Sequence, residues 1–136
     1  MTTETKRASL TWQERFVFRG GEPGGPPMVI DGDGAAAPGP MLTLLLAAAA
    51  CSGSDVVSIL EKMRVELREL RIEVSGERRE EQPRRYTAIH LEYHLRGEGL
   101  DEVKARRAVE LSIEKYCSVL HSLAADIRVT HGLTLG

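Results

Sequence analysis

Hydrophobic and polar residues alternate at the beginning of the chain. Residues 8–18, ASLTWQERFVF, carry apolar side chains at alternate positions over most of their length. This pattern predicts a strand, or a hairpin that turns near Gln13-Glu14. Residues 19–27 contain four glycines and three prolines, a composition that predicts a loop. A short strand over residues 28–30 and a second Gly-rich loop follow.

A long apolar segment, residues 41–60, predicts the first helix. Pro40 suits the first helical position, where its missing N–H would have no partner. Glu61 and Lys62 mark the end of the apolar pattern. The segment is apolar nearly all round, which is typical of a buried central helix. Because one small sheet cannot cover such a helix, we expect a homodimer, with helix–helix contact as a second source of cover.

The second half of the chain predicts a strand pair, a helix and a last strand. Residues 65–74 and 86–95 alternate between apolar and polar side chains, and the highly charged segment between them predicts a turn. Asp101 is a good N-cap for a helix over residues 102–125. Residues 127–129 predict a short last strand.

The predicted order of elements is β-β-β-α-β-β-α-β. Strand pairs separated by single helices predict an α+β fold in which antiparallel sheet covers two central helices. The 136 residues are enough for one domain and few for two. We therefore expect residues 1–136 to form a single domain.

Charge and composition narrow the classes of partner. The chain has 18 Lys and Arg against 20 Asp and Glu, a net charge of −2. It therefore lacks the basic field that a nucleic-acid partner requires. Residues 1–15 are polar, unlike a secretory signal, and the apolar run at residues 41–51 is shorter than the roughly 20 residues of a membrane span. We expect a cytoplasmic protein that binds neither nucleic acid nor membrane.

Two cysteines, Cys51 and Cys117, lie on the apolar faces of the two predicted helices. One interpretation is structural, because free cysteine packs as a small hydrophobic residue. The other is that the two helices bring a nucleophilic thiol and a resolving thiol together. His121, one helical turn after Cys117, either activates a thiolate as an ion pair or lies at the helix edge in water.

Other chemistry has weaker support. His90, Glu92 and His94 share one face of a predicted strand, but such a face is more often exposed surface than a metal site. The sequence lacks the G-x-S-x-G motif of α/β-hydrolases, a P-loop and a dinucleotide fingerprint. We predict neither a cofactor nor a metal ion.

The sequence resembles the OsmC/Ohr family, and in particular its OsmC-like branch. The resemblance rests on GPMLTLLLAAAACSGSDVVSILEKMR (residues 39–64), on the strand pair that follows, and on LSIEKYCSVLHSL (residues 111–123). It covers essentially the whole chain. It implies an α+β fold and an intertwined homodimer with active sites at the subunit interface.

The resemblance also implies a function. Well-studied members of this family are antioxidant, thiol-dependent peroxidases that reduce organic hydroperoxides. By position, Cys51 matches the peroxidatic cysteine, which becomes a sulfenic acid, and Cys117 matches the resolving cysteine, which forms a disulfide with it. An external dithiol then reduces this disulfide. The alternative is a non-catalytic binding or redox-sensing module on the same fold.

Two further family features concern the residues around the thiolate. The family uses an arginine of the N-terminal loop to hold it, and Arg19 is the best match, with Arg15 as a rival. A glutamate at the start of the first helix orients that arginine in the family, whereas this sequence has Met41 and Leu42 there. The resemblance therefore implies a peroxidase slower than the best members of the family.

Overall fold

The structure, a computed structural model, describes residues 3–136. In this part of the chain it contains two three-stranded sheets, three α-helices and one π-helical turn. The elements in chain order are β1 (Ser9–Glu14), β2 (Val17–Gly21), β3 (Met28–Asp31), α1 (Pro40–Lys62), β4 (Glu66–Arg78), β5 (Tyr86–Glu98), α2 (Glu102–Leu111), the π-helical turn (Ser112–Tyr116), α3 (Ser118–His121) and β6 (Arg128–Leu135).

The chain divides after Leu44 into two compact units. The prediction that residues 1–136 form a single domain therefore stays a prediction. The first unit contains the antiparallel sheet β1-β2-β3. The predicted hairpin is present, and its turn lies at Arg15-Phe16, where Arg15 has a φ of 45° and its carbonyl accepts a hydrogen bond from Trp12 Nε1.

Asp31 holds the connection between β3 and α1. Its side chain is buried, and its carboxylate accepts hydrogen bonds from the backbone N–H groups of Asp33, Ala35 and Ala36. These bonds lower the pKa of Asp31, although burial acts in the opposite direction. The loop therefore depends on an ionised carboxylate.

The sheet of the second unit has the strand order β4-β5-β6. The long strands β4 and β5 pair antiparallel, and alternate residues of β5 are buried, as the sequence pattern predicts. The prediction of antiparallel sheet is wrong for β6, which pairs parallel with β5. The helices between these two strands return the chain to the end of the sheet where β5 began, which is the connection that parallel pairing needs.

Helix α1 begins at Pro40, as predicted. Its buried residues lie on one side: Leu45, Ala48, Ala49, Ser52, Gly53, Val56 and Leu60. In the single chain it is not buried all round, because Leu46 and Val57 are 47% and 44% exposed. Its length and apolar composition would also allow it to cross a membrane. Ala48, Val56 and Leu60 have no exposed surface, so α1 packs as a core helix, and the absence of a membrane partner stays a prediction.

The predicted helix over residues 102–125 is interrupted, so this prediction is wrong in its second half. Asp101 caps α2 as expected, since its carboxylate accepts from the N–H of Lys104 at 2.8 Å. The helix then widens into the π-helical turn, in which the N–H of Cys117 donates to the Ser112 carbonyl at 2.7 Å. Cys117 itself is extended, with φ −69° and ψ 100°. Because the π-helical turn changes the directions in which the following side chains point, Tyr116 is 49% exposed and Cys117 is completely buried.

Candidate functional site

The structure brings the two cysteines together. Cys51 lies in the middle of α1 and is half-buried, whereas Cys117 is fully buried at the helix break. Their sulfur atoms and a carboxylate oxygen of Asp55 all lie within 4.8 Å of one another. Both cysteines are free thiols. The two-thiol interpretation therefore has the proximity it requires, while the roles assigned to Cys51 and Cys117 stay predictions.

The surroundings of Cys117 disfavour its thiolate. Burial raises the pKa of Cys117 to about 11; the neighbouring Cys51 thiol and the Asp55 carboxylate act in the same direction, and a hydrogen bond from the Leu120 N–H opposes them. The Cys117 sulfur also lies 3.9 Å from the Ala48 carbonyl oxygen, to which the thiol donates. Cys117 is therefore a protonated thiol at neutral pH.

A chain of buried hydroxyl groups leads to Asp55. Tyr93 Oη lies 2.6 Å from Ser52 Oγ, Ser52 Oγ lies 2.8 Å from Ser112 Oγ, and Ser112 Oγ donates to Asp55 Oδ2 at 3.0 Å. Each hydroxyl carries one proton. The chain is therefore satisfied when Tyr93 donates to Ser52, Ser52 to Ser112 and Ser112 to Asp55, with the carboxylate as the last acceptor.

Burial keeps Tyr93, the hydroxyl group at the other end of this series, in its protonated form. Tyr93, Ser52 and Ser112 are fully buried. Burial raises the pKa of Tyr93 to about 12, although its hydrogen bond with Ser52 acts in the opposite direction. Tyr93 therefore remains a neutral hydrogen-bond donor at neutral pH.

The sequence analysis singled out the two cysteines of this arrangement but not its hydroxyl groups. Asp55 lies one helical turn after Cys51 in the sequence, whereas Ser52, Tyr93 and Ser112 are brought to the site only by the fold. A weak signal does exist, because Ser52 interrupts an otherwise apolar helix face. Ser112 gives no such signal, because it lies 60 residues after Ser52 in the sequence and because serine is common on helix surfaces.

The predicted arginines lie in the first unit. Arg19 is an exposed residue of β2, and Arg15 lies in the hairpin turn, where it pairs with Asp33 at 3.4 Å. Because both cysteines belong to the second unit, contact between either arginine and Cys51 stays a prediction. The first turn of α1, which the structure describes completely, contains no acidic residue.

The histidines make other contacts. His121 Nε2 lies 3.0 Å from the carbonyl oxygen of Ile113 and donates to it, so this nitrogen is not directed at a thiol. On β5, the two ring nitrogens of His90 lie 2.7 Å from Thr130 Oγ1 and 2.9 Å from Glu92 Oε1. Such contacts are those of a hydrogen-bonded sheet surface.

Comparison with known families identifies the fold. The family model described as OsmC-like protein matches residues 32–132, a span that includes both cysteines. The chain belongs to the OsmC-like family. The α+β, OsmC-like fold and the resemblance drawn from the sequence are thereby confirmed.

Individual relatives agree with this assignment. Protein YhfA of Escherichia coli K12 is 41% identical over 126 residues, which are 92% of this chain and 94% of YhfA. A hypothetical protein from Aquifex aeolicus VF5 has a similar structure, with a TM-score of 0.89 and 30% identity over 98% of each chain. The organic hydroperoxide resistance protein OhrB of Bacillus subtilis has the same fold, with a TM-score of 0.63 and 17% identity over 96% of this chain and 98% of OhrB.

Proposed function

We propose that this protein is a thiol-dependent peroxidase that reduces organic hydroperoxides. The observation that carries the proposal is the position of the two cysteine sulfurs, within 4.8 Å of each other on two different segments. Membership of a family whose fold also occurs in an organic hydroperoxide resistance protein supports the same chemistry. In this proposal the protein is cytoplasmic and protects the cell against oxidative stress.

The proposed reaction begins at Cys51, the more accessible of the two thiols. Its sulfur, as thiolate, attacks an oxygen of the hydroperoxide; the O–O bond breaks, the alcohol leaves after taking up a proton, and Cys51 becomes a sulfenic acid. The Cys117 sulfur then attacks the Cys51 sulfur. The S–S bond forms, and the hydroxyl of the sulfenic acid leaves with the Cys117 proton as water.

The disulfide is returned to two thiols by an external dithiol. One thiolate of this reductant attacks the disulfide to give a mixed disulfide, and its second thiol releases the protein by a further exchange. The two electrons of the cycle thus pass from the dithiol to the peroxide. Arg19, with Arg15 as the rival, is the proposed cation that holds the Cys51 thiolate.

The substrate class follows from the walls beside the site. A groove of about 370 Å³ opens next to Asp55 and is also lined by Ser58, Ile59, Lys62, Leu111 and Tyr116. Ile59, Leu111 and Tyr116 offer apolar surface to an alkyl group. Each buried methylene contributes about 0.8 kcal/mol, which favours an organic hydroperoxide over hydrogen peroxide.

A redox-sensing module is the second candidate. Two observations favour it: the first turn of α1 contains no acidic residue that could orient an arginine, and the Asp55 carboxylate lies beside the two thiols, where its negative charge opposes formation of a thiolate. In this case the disulfide would form once and persist as a signal, without rapid turnover.

Peroxide consumption with an excess of dithiol distinguishes the two candidates. A peroxidase removes many equivalents of alkyl hydroperoxide per chain, Cys51→Ser removes none, and Arg19→Ala is slower than Arg15→Ala. Ser54→Ala is the matched control, because this exposed side chain bonds only within α1 to the Ala50 carbonyl. Consumption that stops after one equivalent supports the sensor instead.

A further inference from the structure

The cysteine pair and Asp55 form a set of three converging ligand atoms. The two sulfurs and a carboxylate oxygen lie within 4.8 Å of one another, and among residues 3–136 this is the one group of His, Cys, Asp and Glu side chains with such convergence. Around a tetrahedral Zn²⁺ with bonds of about 2.0–2.3 Å, ligand atoms are separated by roughly 3.3–3.8 Å. Small movements of the side chains would therefore suffice to surround an ion.

We propose that the reduced protein binds a divalent cation of the zinc class through Cys51, Cys117 and Asp55. Thiolates favour zinc over the harder magnesium and calcium ions, and a carboxylate oxygen is an accepted third ligand. Three protein ligands leave one coordination position for water. The bound ion also compensates most of the charge of two thiolates and one carboxylate, which could not otherwise be placed together in a partly buried site.

The hydroxyl chain supplies the support that such a ligand set needs. Ser112 Oγ donates to Asp55 Oδ2 at 3.0 Å and leaves the other carboxylate oxygen for the ion. Ser112 is itself positioned by Ser52, and its carbonyl accepts the N–H of Cys117. Ser112 thus orients two of the three ligands, as the outer groups of metal sites commonly do.

The groove beside Asp55 exposes one of the three proposed ligands to solvent. Its other lining residues are Ser58, Ile59 and Lys62 of α1, with Leu111 and Tyr116 of the segment that leads to Cys117. Cys51 and Asp55 are both half-buried, so the site is neither sealed nor fully exposed. An ion can therefore approach Asp55 from this groove, and the thiol of the fully buried Cys117 has to turn toward it.

The proposed site connects metal binding with the redox state of the cysteines. Binding replaces the protons of both thiols, and oxidation of the two thiols to a disulfide removes both sulfur ligands together with two electrons, which reduce a hydroperoxide to alcohol and water. Oxidation therefore releases the ion, and the ion protects the thiols. This site does not depend on peroxidase turnover, because any two-electron oxidant that joins the cysteines has the same effect.

Cobalt is a suitable probe because Co²⁺ occupies zinc sites and absorbs light. Anaerobic titration of reduced, chelator-treated protein should produce a sulfur-to-cobalt charge-transfer band in the near ultraviolet and the visible bands of a four-coordinate ion. Both should saturate at one ion per chain and disappear when Zn²⁺ is added. Failure of the charge-transfer band to appear would overturn the proposal.

Two variants keep both thiols and test the geometry. Asp55→Asn and Ser112→Ala should each weaken Co²⁺ binding by at least about tenfold. Two cysteines that bind the ion adventitiously would be indifferent to Asp55, so an unchanged affinity in Asp55→Asn contradicts the site. His90→Gln is the control, because it removes a possible metal ligand on the strand surface, away from the proposed site. Loss of the charge-transfer band in that variant would also contradict the proposed site.

The oxidised wild-type protein provides a test without any substitution. Formation of the disulfide with diamide should abolish the charge-transfer band, and reduction should restore it. Retention of the band after oxidation would show that the cysteines are not the ligands. A protein that binds one Co²⁺ but consumes no hydroperoxide would refute the peroxidase and leave this site intact.

Discussion

Ser112 Oγ donates a hydrogen bond of 3.0 Å to Asp55 Oδ2 and so joins the π-helical turn to α1. Asp55 is one helical turn beyond Cys51, and the carbonyl of Ser112 accepts the N–H of Cys117. The bond therefore connects the two segments that carry the thiols. The bond fixes the position of the two segments relative to each other and does not depend on a solvent-exposed ion pair.

Loss of this bond should destabilise the protein. Ser112→Ala removes the hydrogen bond to Asp55 and leaves Ser52 with Tyr93 as its remaining side-chain partner. We expect the free energy of unfolding to fall by about 1–3 kcal/mol. Urea denaturation measures the change. The exposed Ser54→Ala is the control and should stay within about 0.5 kcal/mol of wild type. Equal stability of the two variants would contradict the structural role of Ser112.

The raised pKa of Cys117 predicts a loss of stability in alkali. The folded-state pKa is about 11, above the ordinary value of about 8.5, so the folded state retains the thiol proton more tightly than the unfolded state. This contribution to stability is complete below about pH 8.5 and is lost as pH rises toward 11. In reduced, chelator-treated protein, Cys117→Ala should show a flatter decline over this range. A parallel decline in both proteins would exclude the assigned cause.

Asp31 should govern part of the acid stability. Because backbone N–H groups lower the pKa of its carboxyl group, its contribution is present above the unfolded-state pKa of about 3.9 and is lost as pH falls through the lower folded-state value. Asp31→Asn should therefore be less stable than wild type at pH 7, and the difference should shrink in acid. Asp33→Asn removes only the more exposed pair with Arg15 and should change stability by at most about 1 kcal/mol. A constant difference between Asp31→Asn and wild type at every pH would contradict this.

The exposed apolar face of α1 predicts a homodimer. Leu46 and Val57 lie on that face, and a second copy of the chain would cover them. Light scattering should give twice the chain mass of 15.0 kDa, and Leu46→Glu should shift the mass toward the monomer. Val103→Glu, at a still more exposed valine of α2, serves as the control and should remain dimeric. A wild-type mass near that of one chain would refute the prediction.

The elements that the sequence predicts well are those specified by local pattern. Pro40 begins α1, Asp101 caps α2, and the alternation around Leu91 and Tyr93 produces a half-buried strand. The hairpin before residue 21 also follows from alternation. In each case the determining side chains lie within a few residues of the backbone they control.

The features that the sequence pattern does not predict depend on contacts between residues far apart in the sequence. The spacing of Ile113, Tyr116 and Leu120 suits a continuous helix, and the break at Cys117 departs from that periodic pattern. The parallel direction of β6 is likewise decided by where the helices return the chain. The Ser52–Ser112 pair joins residues 60 positions apart. The local pattern of hydrophobic and polar residues does not predict such a contact.

Non-reducing peptide mapping after one equivalent of alkyl hydroperoxide tests the proposed chemistry most directly. The reduced, metal-free protein should lose both free thiols, yield an intrachain Cys51–Cys117 disulfide and release one equivalent of alcohol. Cys117→Ser should stop at a Cys51 sulfenic acid. Persistence of both thiols, or oxidation of Cys51 with Cys117 still free in the wild type, would contradict the proposed cycle.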